Sequence, residues 1–532
     1  MLNWQAQLKE SKRQDGQTSS ESFTPELNMD VLFVNPDSSL KAYQGLSAKF
    51  SAIEPPTWAL LLAESCRSKG FEVGILDLCA ESLSLETSIK RINNASPRVV
   101  LFVVYGQNPN AGTTSMIGTK LLAEELKRSN SELFVGVVGS HASALPREVL
   151  ALPYIDFVLL NEGVYALHNL LASNLTSELS LIKGIGYKDS SMNLIINDPE
   201  QLVPQHRMDL DLPGYAWDLL PCDEKPLDLY RSHVWHGNFD ESKRTPYAAI
   251  YTSLGCVYGC DFCMINIVNR TDNSDNINSA DSRIMRFWSV EWVMKQLTQL
   301  HNMGVTTIRI SDEMFLLNHR YYIPICEAII DSGISLHMWA YSRVDTVRES
   351  LLDLISKAGI KWLALGIEAG AQTVRREISK GSFKDVNVRE VVDLIRHKEI
   401  NVIATYIVGL PEDDYESMNQ TLALALELNT EMANIYPCQA LPGSPLYVKA
   451  KALGVDVPSE YEEFAFLSYE SRPLPTKTLS SADVLRFRDY FWKTYFTNPG
   501  YLDLVERKFG LKQRLNIEEM SSLDLKRKLL GH

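Results

Sequence analysis

Long apolar runs, an excess of basic residues and a high cysteine content are all absent from this sequence of 532 residues. No apolar run approaches the roughly 20 residues that cross a bilayer, so no membrane span is predicted. The polar N-terminus shows no signal peptide, and without one a disulfide framework is not expected of the 8 cysteines in so long a chain. A net charge of −14 argues against a nucleic-acid partner. These features predict a protein of a reduced, cytoplasmic setting, long enough for about three globular domains.

Three of the cysteines stand close together, in the spacing C-x3-C-x2-C. Cys256, Cys260 and Cys263 follow an apolar run at 247–251 that predicts a strand. Thiolates are the usual ligands of iron–sulfur clusters, which normally take four protein ligands. Because no fourth cysteine is near, one iron of a four-iron cluster would remain open to a ligand that is not protein. The alternatives are a zinc site or three unrelated thiols, but no partner zinc knuckle follows.

The cysteine loop resembles the signature of the radical S-adenosylmethionine (SAM) superfamily. The resemblance implies that the three cysteines hold a 4Fe-4S cluster, whose fourth iron is chelated by the amino and carboxylate groups of SAM. One electron from the cluster would cleave SAM to methionine and a 5′-deoxyadenosyl radical. Phe262 matches the aromatic residue usual before the last cysteine of the family, near the adenine. An electron donor such as flavodoxin or ferredoxin is implied as well.

Ahead of this loop, apolar runs alternate with helical patterns. This alternation predicts a doubly wound parallel sheet, whose ligands bind beyond the carboxyl ends of its strands. The candidate loops are therefore those after Val34, Val104 and Val138. The predicted strands lie near 30–34, 72–77, 99–104, 133–138 and 155–160, and the predicted helices at 56–69, 87–94 and 114–128.

This flavodoxin-like region resembles the cobalamin-binding domain of the cobalamin-dependent radical SAM enzymes. That family often has Gly-Gly-x-His-x-Ser after the fourth strand and Gly-Glu-Gly after the fifth. Residues 138–143 and 161–163 match, with Val138 and Asn161 in place of the first glycines. The resemblance places cobalamin near Tyr105, Gln107, Asn108, Gly139, Ser140, His141, Glu162 and Gly163.

A histidine that ligates cobalt from below is not predicted. The Asp-x-His-x-x-Gly motif of base-off, His-on cobalamin proteins is absent, because Asn-Pro-Asp-Ser follows the first strand at 35–38. We expect His141 to be an ordinary loop histidine. A hairpin is predicted at 183–198, and the segment after it is predicted to connect the two domains. This segment contains four weak site candidates, His206, Arg207, His233 and His236.

From residue 246 six strand–helix units predict a partial (β/α)6 barrel, whose active site lies at the carboxyl ends of the strands. The predicted strands lie near 247–253, 305–310, 335–340, 361–367, 401–408 and 432–438, and the helices near 289–303, 319–332, 347–358, 371–379, 386–398 and 414–429. The predicted division of the chain is a disordered tail at 1–28, the cobalamin-binding domain at 29–198, a linker at 199–245, the radical SAM barrel at 246–450 and a mainly helical capping region at 451–532.

The ends of the barrel strands carry the candidate SAM ligands. Asp312 and Glu313 suit an ammonium group, and either one is a candidate. Arg343 offers a fork for a carboxylate, or a partner for Asp345. In the family, acidic and glycine-containing strand ends contact SAM, which implies roles for Glu368, in a match to Gly-x-Glu-Ser-Gly, and for Gly409.

The combined resemblance implies a cobalamin-dependent radical SAM methyltransferase, acting on an unactivated carbon or a phosphinate phosphorus of a small-molecule substrate. Resemblance to the anaerobic magnesium-protoporphyrin ester cyclase keeps cyclisation or rearrangement without methyl transfer open. A methylthiotransferase is less favoured, because the N-terminal region shows no additional cluster cysteines. The alternative of another class is a cobalamin-binding sensor with an inert barrel, against which the intact cysteine loop argues.

Overall fold

The computed structural model describes residues 29–106, 109–173, 175, 178–274, 277–378 and 386–531. The predicted tail at 1–28 and the candidate residues Gln107 and Asn108 lie outside the described residues. No described helix is both long enough and apolar enough to cross a membrane.

The first sheet has seven strands in the order β2-β1-β3-β4-β5-β6-β7. Strands β1 to β5 pair in parallel, which confirms the predicted doubly wound sheet, whereas β6 and β7 are antiparallel and extend the same sheet. Their apolar residues are buried on both faces, as parallel strands covered by helices require. The strands are β1 Val31–Asn35, β2 Val73–Asp77, β3 Val99–Val104, β4 Val135–Gly139, β5 Phe157–Leu159, β6 Ile185–Lys188 and β7 Leu194–Ile196.

Helices cover both faces of this sheet. The Asp77 and Ser84 side chains accept hydrogen bonds from the first turns of two of them, as N-cap residues do. The helices are α1 Ser39–Tyr43, α2 Thr57–Arg67, α3 Leu78–Glu81, α4 Leu85–Ala95, α5 Gly112–Ser129, α6 Ser140–Ala144, α7 Pro146–Ala151, α8 Val164–Ala172 and α9 Met208–Asp211.

The second sheet has six parallel strands in the order β15-β14-β13-β12-β11-β8, which is the predicted partial barrel. The cysteine loop lies in the segment that connects β9 to β10. These two strands form an antiparallel pair that the sequence patterns did not predict. The strands are β8 Tyr247–Ile250, β9 Ser253–Gly255, β10 Met285–Phe287, β11 Thr307–Ile310, β12 His337–Arg343, β13 Ile360–Glu368, β14 Asn401–Val408 and β15 Met432–Pro437. The helices between them are α10 Val290–Asn302, α11 His319–Ser332, α12 Leu352–Lys357, α13 Gln372–Ile378, α14 Val388–His397 and α15 Tyr415–Leu428.

The connecting segment at 199–245 is packed into the protein. Trp235 lies against Trp339 and Trp362, with ring centroids 5.0 and 5.3 Å away. His236 is fully buried, and its Nε2 forms a hydrogen bond with the carbonyl of His337 at the amino end of β12. The Nε2 of His337 in turn forms one with the carbonyl of His236. The segment therefore closes the end of the barrel opposite the carboxyl ends of its strands.

The C-terminal region is mainly helical, as predicted. The aromatic helix α17 packs against the barrel, where Phe491 contacts Tyr406 and Arg488 donates to the carbonyl of Ile435 at 3.0 Å. Its other aromatic side chains are largely buried, except Tyr490. The helices are α16 Pro445–Ala452, α17 Ser481–Phe496, α18 Pro499–Phe509 and α19 Leu511–Ser522.

Candidate functional site

One cavity of about 780 Å³ lies where the carboxyl ends of the two sheets face each other. Asn35, the last residue of β1, lines the cavity, and Asn110 reaches it from the loop after β3. From the barrel, Glu313 and Glu368 line it at the ends of β11 and β13. Parallel sheets bind ligands at these ends, so the fold brings two binding edges to one space.

The three loop cysteines all line this cavity, together with Phe262. Backbone N–H groups of Tyr258 and Ile265 point at the sulfurs of Cys256 and Cys263, at 3.4 and 3.5 Å. Hydrogen bonds of this kind tune the potential of an iron–sulfur cluster. All three thiols are free, so the loop presents three ligands to the cavity.

Burial and neighbouring charges both raise the pKa values of the loop thiols. Burial raises the pKa of Cys256 to about 11 and that of Cys260 to about 12, and Glu368 and Cys256 raise the latter further. Burial, and then Cys260, raises the pKa of Cys263 well above its ordinary value. A bound metal reverses this preference for the protonated thiol, because cysteines that coordinate a metal lose their protons.

Two more cysteines, Cys79 and Cys438, also line the cavity. Burial raises the pKa of Cys79 and of Cys438, and the charges that raise each further are aspartates. Across the described part of the chain, no three His, Cys, Asp or Glu side chains converge on a single metal ion. A four-iron cluster differs, because each thiolate binds a different iron, so three spaced thiols around a cavity fit it.

Asn266, which sequence reasoning missed, holds the loop in shape. Its Oδ1 accepts from the N–H of Cys256 at 3.1 Å, and its Nδ2 donates to the carbonyl of the same residue at 2.9 Å. Asn110 was also missed, and it joins the first sheet to the loop. Its Oδ1 accepts from the N–H of Met264 at 2.9 Å, and its Nδ2 approaches the sulfur of Cys263 at 3.7 Å.

The two adjacent carboxylates after β11 have different environments. Asp312 is fully buried and accepts hydrogen bonds from the N–H and hydroxyl of Thr252 and the hydroxyl of Ser253, at 2.5 to 2.6 Å. Glu313 lines the cavity and accepts no hydrogen bond from any described residue. Burial raises the pKa of Glu313 to about 8, which Arg309 partly offsets. Of these two carboxylates, Glu313 is therefore the one that lines the cavity.

Glu368 reaches the cavity through a local irregularity. The register between β13 and β14 shifts at Gly366, and Glu368 has a φ of 67°, a left-handed backbone that L residues rarely adopt. Such bulges re-aim side chains, and such strain is typical of functional positions. Burial raises the pKa of Glu368 to about 7.

Arg343 lines the cavity in a bidentate pair with Asp345, at 2.6 and 2.7 Å, and stacks on the ring of Tyr258 at 3.8 Å. Gly409 does not line the cavity. A Cβ at this position would lie 2.3 Å from Val484, so the close packing of α17 accounts for the glycine.

The described residues predicted from the cobalamin resemblance lie behind the cavity wall. His141 is buried and contacts Thr113 and Glu148 at 3.0 and 3.3 Å. Ser140 donates to the carbonyl of Pro109 at 2.5 Å, and a Cβ on Gly139 would meet the carbonyl of Val104 at 2.3 Å. These residues support the loop after β3, which itself lines the cavity.

Tyr105, Glu162 and Gly163 also lie away from this cavity. Tyr105 stacks on Trp58 with ring centroids 4.8 Å apart. Glu162 is buried in an ion pair with Arg286 of β10, at 2.8 Å, and Gly163 has a φ of 75° at the start of α8. The cavity is instead lined on this side by Asn35, Pro36, Asp37, Ser38, Cys79, Ser82, Gly106, Asn110, Ala111, Thr114 and Ser115.

The weak candidates of the connecting segment lie outside the cavity as well. Arg207 pairs with Asp211 at 2.5 Å, and His233 lies 3.5 Å from Glu54. From that segment it is Arg231 that lines the cavity, with its guanidinium bonded to the carbonyls of Ser47 and Ser51.

Two family models match this chain. Residues 43–171 match the B12 binding domain, and residues 250–425 match the radical SAM superfamily. The chain is a B12-binding radical SAM protein. Its cofactors are accordingly cobalamin, SAM and a 4Fe-4S cluster, and the three spaced thiols and free carboxyls of the cavity fit them.

Relatives of this radical SAM protein include both methyltransferases and cyclases by name. An uncharacterized methyltransferase of Pyrococcus horikoshii is 26% identical over 432 residues, which cover 80% of this chain and 83% of the relative. The anaerobic magnesium-protoporphyrin IX monomethyl ester cyclase of Rubrivivax gelatinosus is 24% identical over 493 residues, covering 90% of this chain and 81% of the relative.

Two solved structures share the fold over nearly the whole chain. The radical SAM methyltransferase TsrM from Kitasatospora setae, with cobalamin and a 4Fe-4S cluster bound, aligns with a TM-score of 0.63 at 14% identity, over 93% of this chain and all (100%) of that one. OxsB, with aqua-cobalamin and SAM bound, aligns with a TM-score of 0.64 at 14% identity, over 98% of this chain and 76% of that one.

Proposed function

We propose that this protein is a cobalamin-dependent radical SAM methyltransferase that methylates an unactivated carbon, or a phosphinate phosphorus, of a small biosynthetic substrate. One observation carries the proposal: the carboxyl ends of both sheets, and the three-cysteine loop, open into the same cavity. A methyl carrier on one sheet and a radical source on the other can therefore reach the same substrate atom. The methyltransferase relative from Pyrococcus horikoshii supports this choice.

Each side of the cavity has residues suited to one cofactor. Cys256, Cys260 and Cys263 would hold the cluster, and the carboxylate of Glu313 would accept a hydrogen bond from the amino group of SAM. Glu368 would accept from another polar group of SAM. Cobalamin would lie over the strand ends of the first sheet, against the residues at 35–38 and 110–115.

The bound cofactors supply a 5′-deoxyadenosyl radical and a transferable methyl group. The protein's own part is to hold the reacting groups in one geometry and to keep water out. The carboxyl of Glu313 is largely protonated at neutral pH without a ligand, so it would lose its proton to become a carboxylate that accepts from the SAM amino group. The aromatic wall formed by Tyr43, Tyr436 and Phe466 would contact the substrate.

Oxidative cyclisation or rearrangement without methyl transfer is the second candidate. The cyclase relative covers 90% of this chain, more than the methyltransferase relative does. Both candidates use the same cofactors and the same cavity, so only products separate them.

The deciding experiment is an anaerobic assay of the reconstituted, cobalamin-loaded protein with SAM, a strong reductant and a panel of candidate substrates. Mass spectrometry would follow 5′-deoxyadenosine and S-adenosylhomocysteine. Both products, in step with a methylated substrate, support the methyltransferase. If the substrate is converted and 5′-deoxyadenosine forms without S-adenosylhomocysteine, the result supports cyclisation or rearrangement. Neither product, with cluster and cobalamin fully bound, would favour a cobalamin-binding sensor.

A further inference from the structure

The cysteine loop is a thin wall between the cavity and solvent. Its cysteines line the cavity, whereas Val257 and Gly259 do not, and Val257 is 47% exposed. Ile284, which follows the loop and lies over Gly255, is 40% exposed and also faces away from the cavity. An electron that enters here has only this loop to cross before it reaches the thiols.

Two exposed cations flank this wall. Arg283 lies against the loop, because a Cβ on Gly259 would be 3.4 Å from its Cδ. Lys449 is exposed on α16, one turn beyond Leu446, whose N–H donates to the carbonyl of Asp261 in the loop at 2.8 Å. Neither cation forms an ion pair with a described residue. Because the chain has a net charge of −14, two cations without an ion-pair partner in the described part of the chain, beside exposed apolar residues, give this surface a charge opposite to that of the protein as a whole.

We propose that Val257, Arg283, Ile284 and Lys449 form the docking patch for an acidic, low-potential one-electron carrier protein. The proposal rests on the proposed cluster at Cys256, Cys260 and Cys263. The reduced carrier loses one electron and the cluster gains it, so no proton or leaving group is involved. The acidic body of the protein repels such a carrier elsewhere, while the two cations attract it here and set its orientation. Encounters of this kind are small and transient.

The test measures how fast prereduced flavodoxin, an acidic carrier, reduces the cluster in the reconstituted full-length protein. Stopped-flow absorbance of the flavin reports each electron lost, without substrate or turnover. The Arg283→Glu and Lys449→Glu double variant is expected to slow this reaction about tenfold at low salt. Added salt should slow the wild type and narrow the difference. Reduction by dithionite, which needs no docking, should be unchanged.

Arg507→Glu is the matched control. Arg507 is exposed on α18, far from the loop, next to Phe509, which stacks on Trp362 at the opposite end of the barrel. Its charge reversal should leave the flavodoxin rate within about twofold of wild type. Equal flavodoxin rates for the double variant and the wild type would overturn the proposal, as would equal slowing with dithionite. Failure to assemble any cluster, seen from iron content, would instead overturn the cluster assignment and this inference with it.

Discussion

Glu54, from the loop before α2, forms a buried ion pair with Arg309 in the middle of barrel strand β11. Tyr247 donates to the same carboxylate at 3.1 Å, and Arg309 donates to the hydroxyl of Tyr341 at 3.1 Å. Burial is the largest influence and would raise the pKa of Glu54, but Arg309, His233 and Tyr247 together outweigh it, so the pKa lies below its ordinary value. This pair joins the two halves of the protein at the wall of the cavity.

Removal of Arg309 alone should destabilise the apoprotein severely. Arg309→Met leaves Glu54 as a buried charge without its partner, which costs about 3–5 kcal/mol. The double variant Glu54→Gln with Arg309→Met should regain much of this loss, because neither buried charge remains. Urea unfolding followed by tryptophan fluorescence checks both. Wild-type stability in Arg309→Met would contradict the role given to the pair.

The three loop cysteines should be distinguishable from the other cavity cysteines by iron content. Alanine at Cys256, Cys260 or Cys263 removes one of three cluster ligands, so each variant should lose most of its iron after reconstitution. Cys79→Ala and Cys438→Ala are matched controls in the same cavity and should retain it. Iron retained in all three loop variants would show that the cluster lies elsewhere.

Glu313 should make stability and SAM binding depend on pH in opposite ways. Its pKa is about 8 when folded, against an ordinary value of 4.5. Between these values the folded carboxyl keeps a proton that the unfolded chain has lost, so its contribution to stability falls as pH rises. Glu313→Gln should therefore make the apoprotein more stable than wild type near pH 8. Below pH 4.5 the two proteins should differ little in stability.

The affinity of the wild type for SAM should rise with pH up to about 8, because the carboxylate of Glu313 accepts a hydrogen bond from the amino group more strongly than the protonated carboxyl does. Glu313→Gln should weaken binding and flatten this profile. Asp312→Asn is the contrasting variant, since it disturbs buried hydrogen bonds and should lower stability by about 1–3 kcal/mol at neutral pH. Calorimetric titration with SAM measures the affinity of both variants, and the midpoints of urea unfolding measure their stability. A pH profile unchanged in Glu313→Gln would exclude Glu313 as the partner of the SAM amino group.

The strain at Glu368 predicts a trade between stability and binding. Glu368→Gly relieves a left-handed backbone and removes a buried carboxyl, so stability should rise by about 1–2 kcal/mol while SAM affinity falls. Glu399 has the same residue type and a φ of 57°, but it is exposed and outside the cavity. Glu399→Gly should gain similar stability without any effect on SAM binding. Equal SAM affinity in both variants would contradict the assignment.

Periodicity predicted the two sheets well, because alternating strands and helices leave few topologies. It also predicted that strand ends would form the site. It could not choose between Asp312 and Glu313, because the choice depends on hydrogen bonds from Thr252 and Ser253, about sixty residues earlier. Family motifs pointed to Gly139, Ser140 and His141, yet these support the loop after β3.

Tertiary contacts also explain what the sequence patterns missed. Asn110 and Asn266 shape the cysteine loop, but an asparagine in a loop gives no local signal of its partner. The segment at 199–245 has no periodicity, so it was predicted to be a linker. Its Trp235 and His236 are buried because the amino end of the barrel would otherwise be open.

The central claim is that the cluster and cobalamin share one cavity, and pulsed EPR tests it most directly. The reduced cluster and cob(II)alamin are both paramagnetic, so two centres in a cavity of about 780 Å³ must relax each other. The prediction is that cob(II)alamin relaxes faster when the cluster is reduced, and that Cys256→Ala, which lacks the cluster, abolishes the effect. Relaxation of cob(II)alamin that is unchanged by the reduced cluster would contradict the account.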